Sequence, residues 1–373
     1  MAPDHGFTVT YRFKGGVDEA LARAHDLRYE QTVEFPPDLT PDRIAQTIVG
    51  QVVGHEPDPA GGHRVTIAYP TGVAAGELTQ FLNVVFGNSS IKPGIRVERF
   101  DLSVEALAPF RGPRFGRAGL RAKLGAPTRP LLCTALKPMG LSPGELARQA
   151  YQFALGGIDL IKDDHGLSDQ TFAPYSERVR ACVAAVADAN AKTGYRSLYL
   201  PNVTAPLDRI VDRAFAVREA GASGLLISPG LTGFDAARLL AADDALSLPL
   251  ISHPALLGSF TVSPDAGFSH FALYGQLGRL AGIDAVVFPS WGGRFAFTRE
   301  ECAAIARGTL ESMGALAPSF PAPGGGMKRE RVQEMLDVYG RDVIFLIGGD
   351  LHRPGPDLAD TSWRFRELVE AYA

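Results

Sequence analysis

Within the run Gly156-Gly-Ile-Asp-Leu-Ile-Lys-Asp-Asp-His165 a lysine, two carboxylates and an imidazole crowd together behind a short apolar stretch. If that stretch is a strand, alternation sends Lys162 and Asp164 to one side and Asp163 to the other. A lysine buried beside carboxylates is costly unless it is paired or chemically modified. Oxygens and a nitrogen presented on one turn, from Lys162, Asp164 and His165, can hold a hard divalent cation. A plain Lys–Asp ion pair is the other reading, and a histidine after a strand is by itself more often an ordinary loop residue.

Further polar residues follow other apolar runs. Lys137, after Leu131-Leu-Cys-Thr-Ala-Leu136, is a candidate general base for a C–H next to a carbonyl, and His253 for a second proton. Gly324-Gly325-Gly326 and Gly348-Gly349 leave backbone N–H groups free to approach a phosphate, although a glycine pair taken singly is usually just a turn. Arg294, in Trp291-Gly-Gly-Arg-Phe295, would add charge for a phosphate or carboxylate, or is a surface arginine on a loop. A divalent metal, a phosphorylated keto substrate and an enolate make one consistent chemistry from these parts.

These residues need a scaffold that brings strand ends together. Short apolar strands alternate with helices from about residue 130 onward. The strands are expected at 131–136, 158–161, 197–201, 224–227, 248–251, 283–288, 319–322 and 343–347, with helices such as 143–155, 175–193 and 206–220 between them. Continuous apolar strands signal a sheet covered on both faces, and eight such units match a (β/α)8 barrel, whose active sites lie at the C-terminal strand ends. Residues 1–125 read differently: strands at 7–13, 64–69 and 94–100 mixed with helices at 17–30 and 76–86 predict a small α+β, ferredoxin-like domain. The barrel is then residues 126–373, joined through the Pro- and Gly-rich segment 108–116.

Composition narrows the function classes. The chain has 373 residues, a formal charge of −4 and a pI near 6.1, which argues against a nucleic-acid or anionic-membrane binder. Cys133, Cys182 and Cys302 have neither metal-ligand spacing nor a disulfide framework and are read as core thiols. Met1-Ala-Pro-Asp-His5 lacks the features of a signal peptide and no apolar run reaches membrane-spanning length, so a cytoplasmic location is expected.

Leu136-Lys-Pro-Met-Gly-Leu-Ser142, Gly157-Ile-Asp-Leu-Ile-Lys-Asp-Asp164, Pro201-Asn-Val-Thr-Ala205, Gly324-Gly-Gly-Met327 and Ile347-Gly-Gly349 together resemble the RuBisCO superfamily over the whole chain. The resemblance implies one Mg²⁺ per subunit, bound by Asp164 and by Lys162 after carbamylation of its side-chain nitrogen by CO₂. Lys137 matches the lysine that acts on the substrate C–H. Glu30 and Asn88 match residues that reach a neighbouring subunit's site, which implies a homodimer with active sites at the interface. His165 stands where carboxylating enzymes have a metal glutamate.

Departures from the carboxylase pattern set the expected activity. Met139 replaces a second lysine, Pro254 a phosphate-binding arginine and Phe288 or Pro289 a histidine, and Pro289-Ser-Trp-Gly-Gly-Arg294 is short and lacks the lid lysine. CO₂ fixation is therefore not expected. Glu30-Gln-Thr-Val-Glu-Phe-Pro36, His253-Pro-Ala-Leu-Leu-Gly-Ser-Phe260 and Gly292-Gly-Arg-Phe295 look most similar to the non-photosynthetic proteobacterial branch of RuBisCO-like proteins. That likeness implies a lyase or hydrolase of apionate catabolism, cleaving or decarboxylating 3-oxo-isoapionate 4-phosphate. The alternatives are an enolase or isomerase of a methylthio-ribulose or diketo-methylthiopentyl phosphate in sulfur salvage, and a non-catalytic regulatory protein.

Overall fold

A computed structural model describes residues 6–353 and 357–373. The opening Met1-Ala-Pro-Asp-His5, read above for a leader, lies outside the described residues. Strand β1 (Phe7–Phe13) is followed by α1 (Val17–Glu30), β2 (Gln51–Pro57), β3 (His63–Tyr69), α2 (Leu78–Phe86) and β4 (Ile95–Leu102). Their antiparallel order β4-β1-β3-β2 is the ferredoxin-like arrangement expected. Alternation in β1 turns Phe7, Val9, Tyr11 and Phe13 inward, where Phe7 stacks on Tyr69 and meets Phe81 of α2 edge-on. Sequence reading missed β2. It is an edge strand, largely solvated, with Gly54 at a register shift and Pro57 at its end, so no apolar alternation marks it.

The second unit begins with α3 (Gly116–Leu124), then β5 (Leu131–Leu136), α4 (Pro143–Leu155), β6 (Leu160–Asp163), α5 (Tyr175–Thr193), β7 (Leu198–Leu200), α6 (Leu207–Glu219), β8 (Leu225–Ile227), α7 (Phe234–Ala242) and β9 (Leu250–Ser252). After β10 (Gly267–Phe268) come β11 (Ala285–Pro289), α8 (Arg299–Leu310), β12 (Phe320–Gly324), α9 (Val332–Tyr339), β13 (Ile344–Leu346) and α10 (Leu358–Glu370). Eight parallel strands order as β7-β6-β5-β13-β12-β11-β9-β8, and the Asn202–Leu226 bridge spans the remaining seam. A (β/α)8 barrel results. Local signals set its helices: a Ser142/Glu145 capping box starts α4, and left-handed Gly194 ends α5.

Two features tie the units together. β10 leaves the barrel segment and pairs with β4, adding a fifth strand to the N-terminal sheet. Helix α3 buries Leu120 and Leu124 against inward residues of the barrel strands, such as Leu131, Leu160, Leu226 and Phe320. Asp284 holds the start of this helix by accepting N–H bonds from Phe115 and Gly116 at 2.8 and 2.7 Å, and another from Leu250 at 2.9 Å. Burial pushes its carboxyl up to about 6 against those donors. The helix starts where the expected N-terminal domain, 1–125, was still running, and its buried face belongs with the barrel. With its N-terminal end filled by this core, the barrel is accessible from the C-terminal ends of its strands.

The weakest expected strand, β12, carries Pro321 and Pro323. Phe320 N–H bonds to Asp284 beside β11, so the alternate prolines face β13, where the ladder is the single pair Gly324–Leu346. The missing proline donors therefore fall where little ladder exists. Expected strand 158–161 sits two residues later, at 160–163. Asp159 is instead held at the lower rim by Arg129 at 2.6 Å and by the Leu132 N–H at 2.8 Å. Cys133, Cys182 and Cys302 are free and buried. Among the described residues no helix is long and apolar enough to cross a membrane.

Candidate active site

Lys162 lies on β6 opposite Ala135 of β5 and Leu200 of β7, and its side chain enters the barrel mouth. It is only 2% exposed. Its Nζ donates to the Asp163 carbonyl at 3.1 Å, and among the described residues it makes no ion pair. Burial pushes its ammonium down toward the neutral amine, which is the form that can attack CO₂. Asp164 Oδ1 accepts Lys137 Nζ at 2.6 Å and lies 3.3 Å from His165 Nδ1. Burial opposes ionisation of Asp164, yet these contacts and the charges of Lys137 and Lys162 hold its carboxyl well below the usual range.

Asp163 faces the other way, as alternation required. It is fully buried, accepts Tyr199 Oη at 2.7 Å and Asn202 N–H at 3.0 Å, and pairs with buried Arg178 at 3.3 Å. Asn202 Nδ2 in turn donates to the carbonyls of His165 and Leu167 at 3.0 and 2.9 Å, which pins the loop after β6. Replacing Asp163 with alanine strands a buried guanidinium, so a loss of about 3–5 kcal/mol of stability is expected in urea unfolding. A loss below about 1 kcal/mol would mean that the network is not what holds this loop.

His253 lies against the same centre, its ring stacked on His165 at 4.0 Å and 7°. Its Nδ1 accepts the Ala255 N–H at 3.2 Å, which assigns the ring proton to Nε2. Burial, then the charge of Lys162, lowers its pKa to about 2, so the ring is neutral near pH 7. Lys137 is oriented by a residue that sequence reading missed. Gln149 of α4 accepts its N–H at 3.2 Å and donates to its carbonyl at 2.6 Å. Met139 is half-exposed, with its methyl close to Gly166 in the loop after β6.

A cavity of about 760 Å³ opens at this end of the barrel, large enough for a sugar phosphate. Lys137, Lys162, Asp164, His165 and His253 line it together with Gly324, Gly325, Gly326, Gly348, Gly349 and Arg294. Gly325 and Gly326 have positive φ, and a Cβ on Gly293 would collide with the Gly325 carbonyl. The two loops therefore approach closely enough to require glycine at 293 and a left-handed backbone at 325 and 326. Gly348 and Gly349 differ: their φ is not positive and a Cβ would meet nothing within 4 Å. Two lining cations, Lys328 and Arg353, were missed. Each follows a glycine cluster by a few residues, and that position was the available signal.

The segment after β11 is clasped. Arg331 donates to the Trp291 carbonyl at 3.0 Å, and Trp291 Nε1 donates to Glu334 at 3.0 Å. Phe295 and Phe297 join the cavity wall. Asn88 donates to Glu30 at 3.1 Å, so these two meet each other on the N-terminal domain. Neither lines the cavity of its own chain.

Among the described residues no three His, Cys, Asp or Glu side chains group as metal ligands. Asp164 and His165 would provide two, and Lys162 would be a ligand only after conversion to an anion. Its burial, lowered pKa and lack of an ion pair among the described residues fit such a conversion.

Comparison with known proteins adds to this geometry. A family model described as ribulose bisphosphate carboxylase large chain, catalytic domain, matches residues 116–355. Ribulose bisphosphate carboxylase-like protein 1 of Rhodopseudomonas palustris is 40% identical over 98% of this chain and 97% of its own length. The 5-methylthioribulose-1-phosphate isomerase of Rhodospirillum rubrum is 40% identical over 92% of this chain and 90% of its own. The crystal structure of a RuBisCO-like protein from Rhodopseudomonas palustris superposes with a TM-score of 0.88 at 38% identity, covering 100% of this chain and 99% of that one.

Proposed function

We propose, from the premise that this chain belongs to the RuBisCO large-chain family and is a RuBisCO-like protein, that it is a metal-dependent enolising enzyme acting on a phosphorylated keto sugar acid. The observation that carries this reading is the convergence of Lys137, Lys162, Asp164 and His165 with two glycine clusters on one cavity. A divalent cation, Mg²⁺ in the family, would be held by Asp164, His165 and the carbamate of Lys162, and would polarise the substrate carbonyl. The amides of Gly324, Gly325, Gly326, Gly348 and Gly349, all lining the cavity, would bind the phosphate together with Lys328 and Arg353.

Arg294 makes no ion pair among the described residues and supports a second anionic group on the substrate, a carboxylate. In decarboxylation the C–C bond to that carboxylate breaks, its electron pair passes to the carbonyl, CO₂ leaves, and Lys137 protonates the enolate carbon. The substrate inferred for this chain is 3-oxo-isoapionate 4-phosphate. The same family premise supports a homodimer, in which Glu30 and Asn88 would complete the partner's site, and a cytoplasmic enzyme.

A second reading, isomerisation of a methylthio-ribulose phosphate, is favoured by the Rhodospirillum relative and by Phe295 and Phe297 in the cavity wall. Incubating the protein with divalent metal and bicarbonate against both substrate classes separates them. Release of ¹³CO₂ from the keto acid, with no change of the methylthio sugar in ³¹P spectra, is the expected result. Turnover of the methylthio sugar alone would overturn the first reading.

A further inference from the structure

We propose that His165 shifts the metal preference of this centre away from Mg²⁺ and toward borderline first-row ions such as Co²⁺, Fe²⁺ or Zn²⁺. The inference rests on the metal-dependent reading above, but not on the identity of the substrate. Mg²⁺ prefers oxygen ligands, whereas imidazole nitrogen suits the borderline ions.

The geometry makes His165 a ligand candidate and not just a neighbour. Its Nδ1 lies 3.3 Å from Asp164 Oδ1. Two donors bound at about 2.1 Å and at right angles to one ion sit about 3.0 Å apart. Once the ring proton moves to Nε2, a cation would therefore replace this hydrogen bond with little displacement of either side chain. The imidazole is held in place. Its ring stacks on His253 at 4.0 Å, and its carbonyl accepts Asn202 Nδ2 at 3.0 Å. His253 cannot substitute through its Nδ1, because that nitrogen accepts the Ala255 N–H. Thiol competition is also removed, since Cys133, Cys182 and Cys302 are all buried.

Any mixed site binds Co²⁺ more tightly than Mg²⁺, so the test is how the ratio changes with the ligand. Titration calorimetry of the full chain in bicarbonate buffer, with Co²⁺ and with Mg²⁺, is compared between the native protein and His165→Glu. The Co²⁺-to-Mg²⁺ affinity ratio is expected to fall roughly tenfold or more in the variant. The visible absorption of bound Co²⁺ should change as nitrogen is replaced by oxygen. An unchanged ratio with an unchanged spectrum overturns the role of His165. Binding of neither ion to the native protein overturns the metal-dependent reading itself, so the two failures are distinguishable.

Discussion

Lys162→Ala is expected to abolish turnover and divalent-metal dependence together. The side chain is buried at the barrel mouth with no carboxylate partner, so as a free ammonium it would repel a cation held on Asp164. Only as a carbamate does it become an oxygen ligand, and burial already favours the neutral amine that reaction requires. Removing it leaves Asp164 and His165, two ligands where a hard cation needs more. The loss should be at least about 10³-fold in kcat/KM, or about 4 kcal/mol of transition-state stabilisation. Lys162→Met, which keeps the stem, controls for the space that alanine opens. Both variants should lose the tighter metal binding that the native protein gains when bicarbonate replaces CO₂-free buffer. Retained activity in either variant would remove the carbamate role.

Lys137→Met should stop exchange of substrate C–H with D₂O while leaving phosphate binding almost unchanged. Lys137 follows β5 and reaches Asp164, whereas the glycine clusters lie at the end of β12 and on the loops after β12 and β13. The exchange rate should fall about 10²–10⁴-fold, the usual contribution of a positioned acid or base. A second readout separates this from simple damage. Lys137 Nζ and a divalent cation compete for the same Asp164 oxygen, so removing the lysine should tighten metal binding and not weaken it. Exchange by NMR and metal affinity by calorimetry test both halves. Persistent exchange would exclude Lys137 as the base.

Much of the cavity lining that forms the candidate site was legible because barrel chemistry sits at strand ends. Lys137, Lys162, Asp164, His165 and His253 each follow an apolar run, and alternation alone turned Asp163 away from them. The partners that position these residues were not legible. Gln149 holds Lys137 from a helix face, and Arg178 and Tyr199 hold Asp163 from other elements. Such contacts leave no local pattern, because a polar residue on a helix has the same sequence signature whether it faces solvent or a strand end.

The sequence by itself determined the two-unit architecture, since strand and helix periods reflect which faces are buried. It also determined the chemical inventory after each strand. Tertiary structure decided how that inventory is divided. It brought the loop of Gly325 and Gly326 against Gly293 while leaving open space around Gly348 and Gly349, and it added Lys328 and Arg353 to the cavity. It paired Asn88 with Glu30 away from their own chain's cavity, and it turned His165 from an isolated loop histidine into a ring stacked on His253 and directed at Asp164. These outcomes depend on distances between residues far apart in the chain, which closing the barrel sets and local sequence does not encode.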